Sequence, residues 1–202
     1  LSSIINNFGF LPKYAYAELK NIHKKAPADI KSLLKNYVKV SAEEFYNDKH
    51  NLFIFSPYRV GKTWTLHAIA NHIIKNFNER SVLYITANSL QRAFTDYTLS
   101  NDGETLIQII AEKRVLFVDD LGLEYHKAES DYVKKKLEGF FRFRCDYSLI
   151  TYIASQVRMP NLIEMYSKSF HEFLNGEYID FEIESDINLG DIILEEKLKH
   201  NK

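Results

Sequence analysis

A single cysteine, Cys145, stands in this chain of 202 residues. It permits no internal disulfide and no cysteine-built metal site, and it suits a reducing cytosol. No apolar run is long enough to span a membrane. The opening Leu1-Ser2-Ser3 lacks the basic and apolar regions of a secretory signal. A first residue other than Met leaves room for a longer parent protein. Net charge is nearly absent too, at −1, but it is unevenly spread. Leu1 to Arg80 carries twelve Lys/Arg against six Asp/Glu, and Pro160 to Lys202 carries four against ten. Such asymmetry marks either a basic face for nucleic acid or simply the solvated faces of helices. The densest basic tract is Lys134-Lys135-Lys136. The chain has no internal repeat, no low-complexity linker and no Asn-Lys-x-Asp motif of the kind that reads guanine.

What the chain does have is a strand, a tight loop and a helix in immediate succession. Asn51 to Phe55 is apolar and strand-like. Lys62 to Phe77 repeats Leu66, Ile69, Ala70, Ile73 and Phe77 at the spacing of a helix packed on a sheet. Between them lies Ser56-Pro57-Tyr58-Arg59-Val60-Gly61-Lys62-Thr63. Gly-Lys-Thr opening a helix after a strand is the setting of a phosphate-binding loop. Unpartnered N–H groups and the helix dipole make that end attractive to anions. Lys62 is expected on the outer phosphates, and the Thr63 hydroxyl on a magnesium ion. Ser56, Tyr58, Arg59, Val60, Gly61 and Trp64 complete the candidate nucleotide-binding set. Tyr58 and Trp64 flank the loop, where they touch a base or DNA, or merely pack. The loop departs from the usual pattern, with Ser56 at its first glycine and Arg59 where a second is common. Glycine reaches positive φ and lets backbone approach phosphates closely, so the cradle is expected to be looser. The plainer alternative is an ordinary loop-to-helix start.

About sixty residues further on, Val115-Leu116-Phe117-Val118 is a continuous apolar run, as in a strand buried on both faces of a parallel sheet. It leads into Asp119-Asp120. Paired carboxylates there are costly unless they serve a cation or face solvent. Asp119 is a candidate magnesium ligand, directly or through water. Asp120 is a candidate general base for an attacking water. The alternative is a polar strand end.

Helices are expected over Tyr14 to Lys25, Asp29 to Tyr46 with Asp29 as N-cap, Ser89 to Tyr97, Glu104 to Glu112, and Asp131 to Arg144. Val133, Leu137, Phe140 and Phe141 face inward in the last of these. Short helices are expected over Pro160 to Met165 and Ser169 to Leu174, with a polar turn at Ser100 to Gly103. Strands are expected at Ser81 to Thr86, Leu149 to Ala154 and Tyr178 to Ile183. Alternation of strand and helix predicts an α/β fold with a three-layer parallel sheet. The division is a helical segment over 1–48, a nucleotide-binding core over 49–185 and a charged tail over 186–202. His67 and His72, five apart on one helix, suit no common metal; one is expected at the surface and one packed.

Three stretches make the chain resemble the AAA+ core of bacterial replicative-helicase loaders, the DnaC-like family, and the related IstB-like transposition helpers. They are Gly61-Lys62-Thr63, then Val82-Leu83-Tyr84-Ile85-Thr86 with Ser89-Leu90, and Leu116-Phe117-Val118-Asp119-Asp120-Leu121-Gly122. The resemblance covers about Tyr37 to Ile183. It implies a P-loop NTPase sheet in the order 5-1-4-3-2 and ATP with magnesium as cofactors. It also implies a homo-oligomeric ring or spiral around single-stranded DNA and a replicative helicase as partner, in the cytoplasm. By the resemblance, Asp120 is the catalytic carboxylate, Thr63 and Asp119 serve the metal, and Gln156 stands where a γ-phosphate sensor is normally Asn. The family's arginine finger has no counterpart in Ser169 to Leu174, nor its later sensor arginine around Asp186-Ile187-Asn188. Arg142, Arg144 or Arg158 are the available substitutes. Loss of such an arginine argues for slow or absent hydrolysis, since a finger contributes about 10³–10⁵ in rate. A helicase-loader-like ATPase is the leading reading. An adaptor that retains the fold without turnover and an IstB-like helper are its alternatives, and a small-molecule kinase is weaker.

Overall fold

The computed structural model describes residues 9, 11–48, 50–97, 102–123, 131–185, 187–189 and 191–192. Five strands form one parallel sheet: β1 (Asn51–Phe55), β2 (Val82–Thr86), β3 (Val115–Leu121), β4 (Ile150–Ser155) and β5 (Tyr178–Glu182). Their order is β2-β3-β4-β1-β5, which is the AAA+ arrangement. All four pairings are parallel. The central strands read as apolar runs because both faces are covered. Successive residues point to opposite faces. Phe53, Leu83, Leu116, Val118 and Ile153 enter one apolar cluster, and Leu52, Ile54, Val82, Phe117 and Tyr152 enter the other.

Seven α-helices are described: α1 (Ala28–Lys39), α2 (Ala42–Asp48), α3 (Lys62–Asn76), α4 (Ala87–Tyr97), α5 (Asp102–Ala111), α6 (Asp131–Asp146) and α7 (Lys168–Glu177). Ile30, Leu33 and Phe45 join Leu66, Ile69 and Ile73 of α3 on one face of the sheet. Leu90, Ile110, Leu137, Phe141 and Phe170 cover the other. Each fully buried side chain of this kind contributes about 1.5–3 kcal/mol relative to exposure. The result is the expected three-layer α/β architecture. Among the described residues no helix is long and apolar enough to cross a membrane.

Several local expectations are corrected. Tyr14 to Lys25 is not a helix but two 3₁₀ turns, Pro12–Tyr14 and Leu19–Asn21. This segment is strapped to α3, where the Asn71 side-chain amide donates to the Tyr14 and Ala17 carbonyls at 3.3 and 2.8 Å, and Lys75 pairs with Glu18 at 2.8 Å. Those long-range bonds outweigh local helix preference. The stretch Asp29 to Tyr46 holds two helices. Val40 is extended, and a reciprocal Ser41–Glu44 capping box starts the second, with the Ser41 amide and hydroxyl donating to the Glu44 carboxylate and the Ser41 hydroxyl accepting from the Glu44 amide. The cap of the first is Pro27, with Asp29 inside its first turn. The short helix expected over Pro160 to Met165 is a 3₁₀ helix over Met159–Glu164. The helix expected from Glu104 begins at Asp102, so Gly103 is helical. Of the charged tail expected over 186–202, residues 187–189 and 191–192 are described and the rest lies outside the described residues.

Arg144 is fully buried on α6. Its guanidinium donates to the carbonyls of Ala111, Lys113 and Ile150 at 3.0, 2.8 and 2.7 Å, and to Thr151 Oγ1 at 2.8 Å. Burial lowers its pKa to about 10, so it stays charged at neutral pH. It satisfies carbonyls at the C-terminal end of α5, where a cation also meets the negative end of the helix dipole. Arg144 is therefore a structural residue and no substitute arginine finger. Arg144→Leu leaves these buried acceptors unpaired and is expected to cost about 3 kcal/mol or more, read as a lower urea midpoint at unchanged m-value.

Candidate nucleotide-binding site

The loop between β1 and α3 is shaped by one glycine. Gly61 has φ of 118° and stands as the N-cap of α3, with no side chain capping the first turn. A Cβ there would lie 3.3 Å from Leu189 Cδ1 as well as being strained. Arg59, at the position of the lost glycine, also holds positive φ, 62°. Its guanidinium pairs with Asp191 at 2.6 Å, and this exposed pair links the loop to the C-terminal segment. Val60 is buried in the core, and Trp64 packs partly buried against it. Tyr58 is 68% exposed, so of the two flanking aromatics it is the more open to a ligand.

Lys62 is 5% exposed. Its Nζ donates to the Ser56 carbonyl at 2.7 Å, to Ser56 Oγ at 3.1 Å and to the Pro57 carbonyl at 3.0 Å. Burial brings its pKa down to about 8, against the pull of Asp119 and Asp120. The ammonium is thus held under the loop, close enough to both carboxylates to feel them.

Strand β3 runs through the acidic pair to Leu121, and its register against β4 shifts between Val118 and Leu121. Asp120 sits at φ 60° in that irregularity, a conformation that costs a non-glycine residue energy and re-aims its side chain. Asp119 is 2% exposed. Its Oδ2 accepts from the Thr63 hydroxyl at 2.7 Å and from the Tyr84 hydroxyl, and its Oδ1 accepts from the Asp120 amide at 3.0 Å. Asp120 Oδ1 accepts from Gln156 Nε2 at 3.4 Å. Burial, then Asp119, raises the Asp120 pKa. The neighbouring Ser155 hydroxyl donates to the Leu121 carbonyl at 2.6 Å, tying the ends of β3 and β4 together. Lys62, Thr63, Asp119, Asp120 and Gln156 are thereby gathered at the carboxyl ends of β1, β3 and β4.

Two residues of this network had no role in the sequence reading. Tyr84, read as a strand residue, reaches Asp119 from the neighbouring strand. Burial and then Asp119 push its phenol well above the ordinary range, so it remains a donor. Its signal was a tyrosine inside an otherwise aliphatic strand, a hydroxyl that needs a buried partner. His67 is fully buried, while His72 is half-buried. His67 Nε2 accepts from the Leu11 amide at 3.2 Å, so Nδ1 carries the proton donated to the Thr63 carbonyl at 2.7 Å. Burial lowers its pKa to about 4.

The donor set fits a magnesium nucleotide. A hydroxyl and carboxylates are hard oxygen ligands suited to magnesium. The uncapped start of a 15-residue helix and a lysine offer positive potential to phosphates. Among the described residues no cluster of three or more His, Cys, Asp or Glu forms a separate metal site. The other arginines weighed as fingers are engaged elsewhere. Arg142 donates to the Ser169 carbonyl at 2.8 Å, and Arg158 pairs with Glu182 at 2.5 Å.

Comparison with known proteins bears on the fold. The solved structure of AMPPCP-bound DnaA from Aquifex aeolicus superimposes with a TM-score of 0.70 at 22% identity, covering 94% of this chain and 56% of that one. The chain thus spans about half the length of that DnaA structure. DnaI gives a TM-score of 0.67 at 21% identity, covering 87% of this chain and 95% of that one. The DnaC helicase loader gives 0.67 at 16% identity, covering 86% and 100%. These likenesses establish the fold, and residues 31–173 match the bacterial DnaA ATPase domain. On that match the chain belongs to the bacterial DnaA ATPase domain family, within the AAA+ group that the DnaC-like resemblance anticipated.

Proposed function

We propose that this protein binds ATP with magnesium and acts in DNA replication as a helicase-loader-like AAA+ protein in the cytoplasm. In this reading it contacts a replicative helicase and single-stranded DNA and forms a homo-oligomer. The proposed division is a helical segment over 1–48, a nucleotide-binding core over 49–185 and a charged tail over 186–202. The observation that carries the reading is the convergence of the Lys62 ammonium, the Thr63 hydroxyl and the Asp119 and Asp120 carboxylates at one end of a DnaA-type sheet.

The roles follow from chemistry. Amides at the start of α3 and Lys62 hold the phosphates, with Ser56, Tyr58, Arg59, Val60, Gly61 and Trp64 shaping the loop around them. Thr63 and Asp119 hold magnesium, which when bound neutralises charge on the phosphate oxygens. Asp120 orients the water, and Gln156 holds Asp120 through its amide. The raised Asp120 pKa is in the direction a general base requires.

A second reading, an adaptor with little or no turnover, is favoured by the engagement of Arg142, Arg144 and Arg158 away from the acidic pair. Both readings require ATP uptake and differ in hydrolysis. Slow turnover, stimulated by single-stranded DNA and lost in Lys62→Ala, is expected for the loader; no turnover at all favours the adaptor.

Calorimetric titration with ATP and magnesium is expected to show saturable uptake by the native chain and none by Lys62→Ala. Uptake that survives in the variant overturns the proposed site. The Lys62 pKa near 8 adds a pH signature. Below that value the ammonium is already charged, and above it a bound triphosphate draws a proton back onto it. Affinity is therefore expected to fall as pH rises above about 8, approaching tenfold per unit. At about pH 9, heats measured in buffers of different ionisation enthalpy should reveal proton uptake on binding. Single-stranded DNA affinity is expected to fall steeply with salt, as phosphate contacts require; salt-insensitive binding counts against the loader.

A further inference from the structure

Asp119 is held by more than the phosphate loop. We propose that Tyr84 is a positioning residue for Asp119, fixing the carboxylate so that its Oδ1 side faces the metal, and that Gly9, Leu11 and Tyr14 help lock Tyr84 in place. This rests on the nucleotide-binding reading above.

A carboxylate has roughly four lone-pair sites. Two hydroxyls, from Thr63 and Tyr84, converge on Asp119 Oδ2, while among the described residues Oδ1 accepts from the Asp120 amide alone. The remaining capacity therefore lies on Oδ1. The Thr63 hydroxyl donates its proton to Asp119 while its oxygen is the expected metal ligand, so the two donors to Oδ2 have different tasks. Tyr84 stands outside the phosphate loop, on β2, and is 2% exposed.

Its position is set by the His67 ring and by the Gly9 backbone. The His67 ring lies against the Tyr84 ring, with centroids 4.1 Å apart, and Tyr14 packs on the same histidine at 4.7 Å. His67 is fixed at both nitrogens, by the Leu11 amide and the Thr63 carbonyl. Gly9 passes so close to β2 that a Cβ there would fall 1.7 Å from the Tyr84 carbonyl oxygen, and its φ is +65°. Gly9 thus meets Tyr84 directly, Leu11 and Tyr14 reach it through His67, and His67 in turn holds the backbone of Thr63. One packed unit carries both donors to Asp119 Oδ2.

The test is Tyr84→Phe, which removes the hydroxyl and keeps the ring. Tyr46→Phe is the control for loss of a structural phenol, since Tyr46 donates to Glu79 Oε2 at 2.7 Å, away from the acidic pair. ATP binding is titrated in EDTA, and Mn²⁺ binding to each ATP complex is followed by electron paramagnetic resonance. The expected result is metal-free ATP affinity within about twofold of native in both variants, with Mn²⁺ affinity weakened about tenfold or more in Tyr84→Phe alone. Native Mn²⁺ affinity in Tyr84→Phe, or an equal loss in Tyr46→Phe, overturns the proposal while leaving the nucleotide-binding reading intact. A Tyr84→Phe protein that no longer unfolds cooperatively on heating also overturns it, because the residue is then structural. Failure of the native chain to take up ATP overturns the nucleotide-binding reading and this proposal with it.

Discussion

The Asp119 carboxylate is buried to 2% exposure at the end of the sheet's second strand from the edge. A charge removed from water this far must be met by donors or by a cation, or it neutralises. The surrounding structure answers that demand with the Thr63 hydroxyl, the Tyr84 hydroxyl and the Asp120 amide. Lys62, buried beneath the loop, has the complementary problem and solves it with carbonyls of Ser56 and Pro57. Two opposite charges are thus buried close together, each through its own neutral partners. This leaves both able to receive a ligand carrying charges of both signs, as a magnesium nucleotide does.

Holding these groups still requires a stiff sheet. Burial on both faces supplies it, with Phe117 stacked on Tyr152 across β3 and β4 at a centroid distance of 5.0 Å. Arg144 fastens the opposite end by bonding carbonyls after α5 and at the start of β4. The Asp120 backbone, at positive φ inside a register shift, is strained, as is Arg59 in the loop. It is tolerated because Leu121 is fully buried beyond it and its carbonyl is tied to Ser155.

The phosphate loop has lost two of the glycines of its usual pattern, yet Arg59 takes a left-handed conformation that glycine adopts freely. Its side chain reaches Asp191 instead of open solvent. An exposed pair of this kind contributes little to stability, so its consequence is positional: it brings the C-terminal segment over the loop, with Leu189 against Gly61. The proposed weak hydrolysis has a simple physical origin: Arg142, Arg144 and Arg158, the arginines weighed as fingers, are engaged away from the acidic pair.

Both the sheet and the heart of the site were legible in the chain. Val115 to Val118 reads as a strand because full burial leaves no polar face, and α3 reads as a helix because its apolar residues repeat on one side. Gly61-Lys62-Thr63 and Asp119-Asp120 identify themselves because their chemistry is unusual where it stands. The N-terminal segment was misread as helix because its backbone is committed to Asn71 and His67, partners more than fifty residues away. Tyr84 went unremarked because periodicity reports that a side chain is buried, and not which polar group it meets; its partner lies 35 residues on, across a strand pairing. Sequence alone determined which residues bear charge and which faces are apolar, since solvent exclusion acts on every residue locally. Only the tertiary structure decided which buried donors hold Asp119 and which arginines are already committed, because a hydrogen bond depends on the meeting of two groups in space.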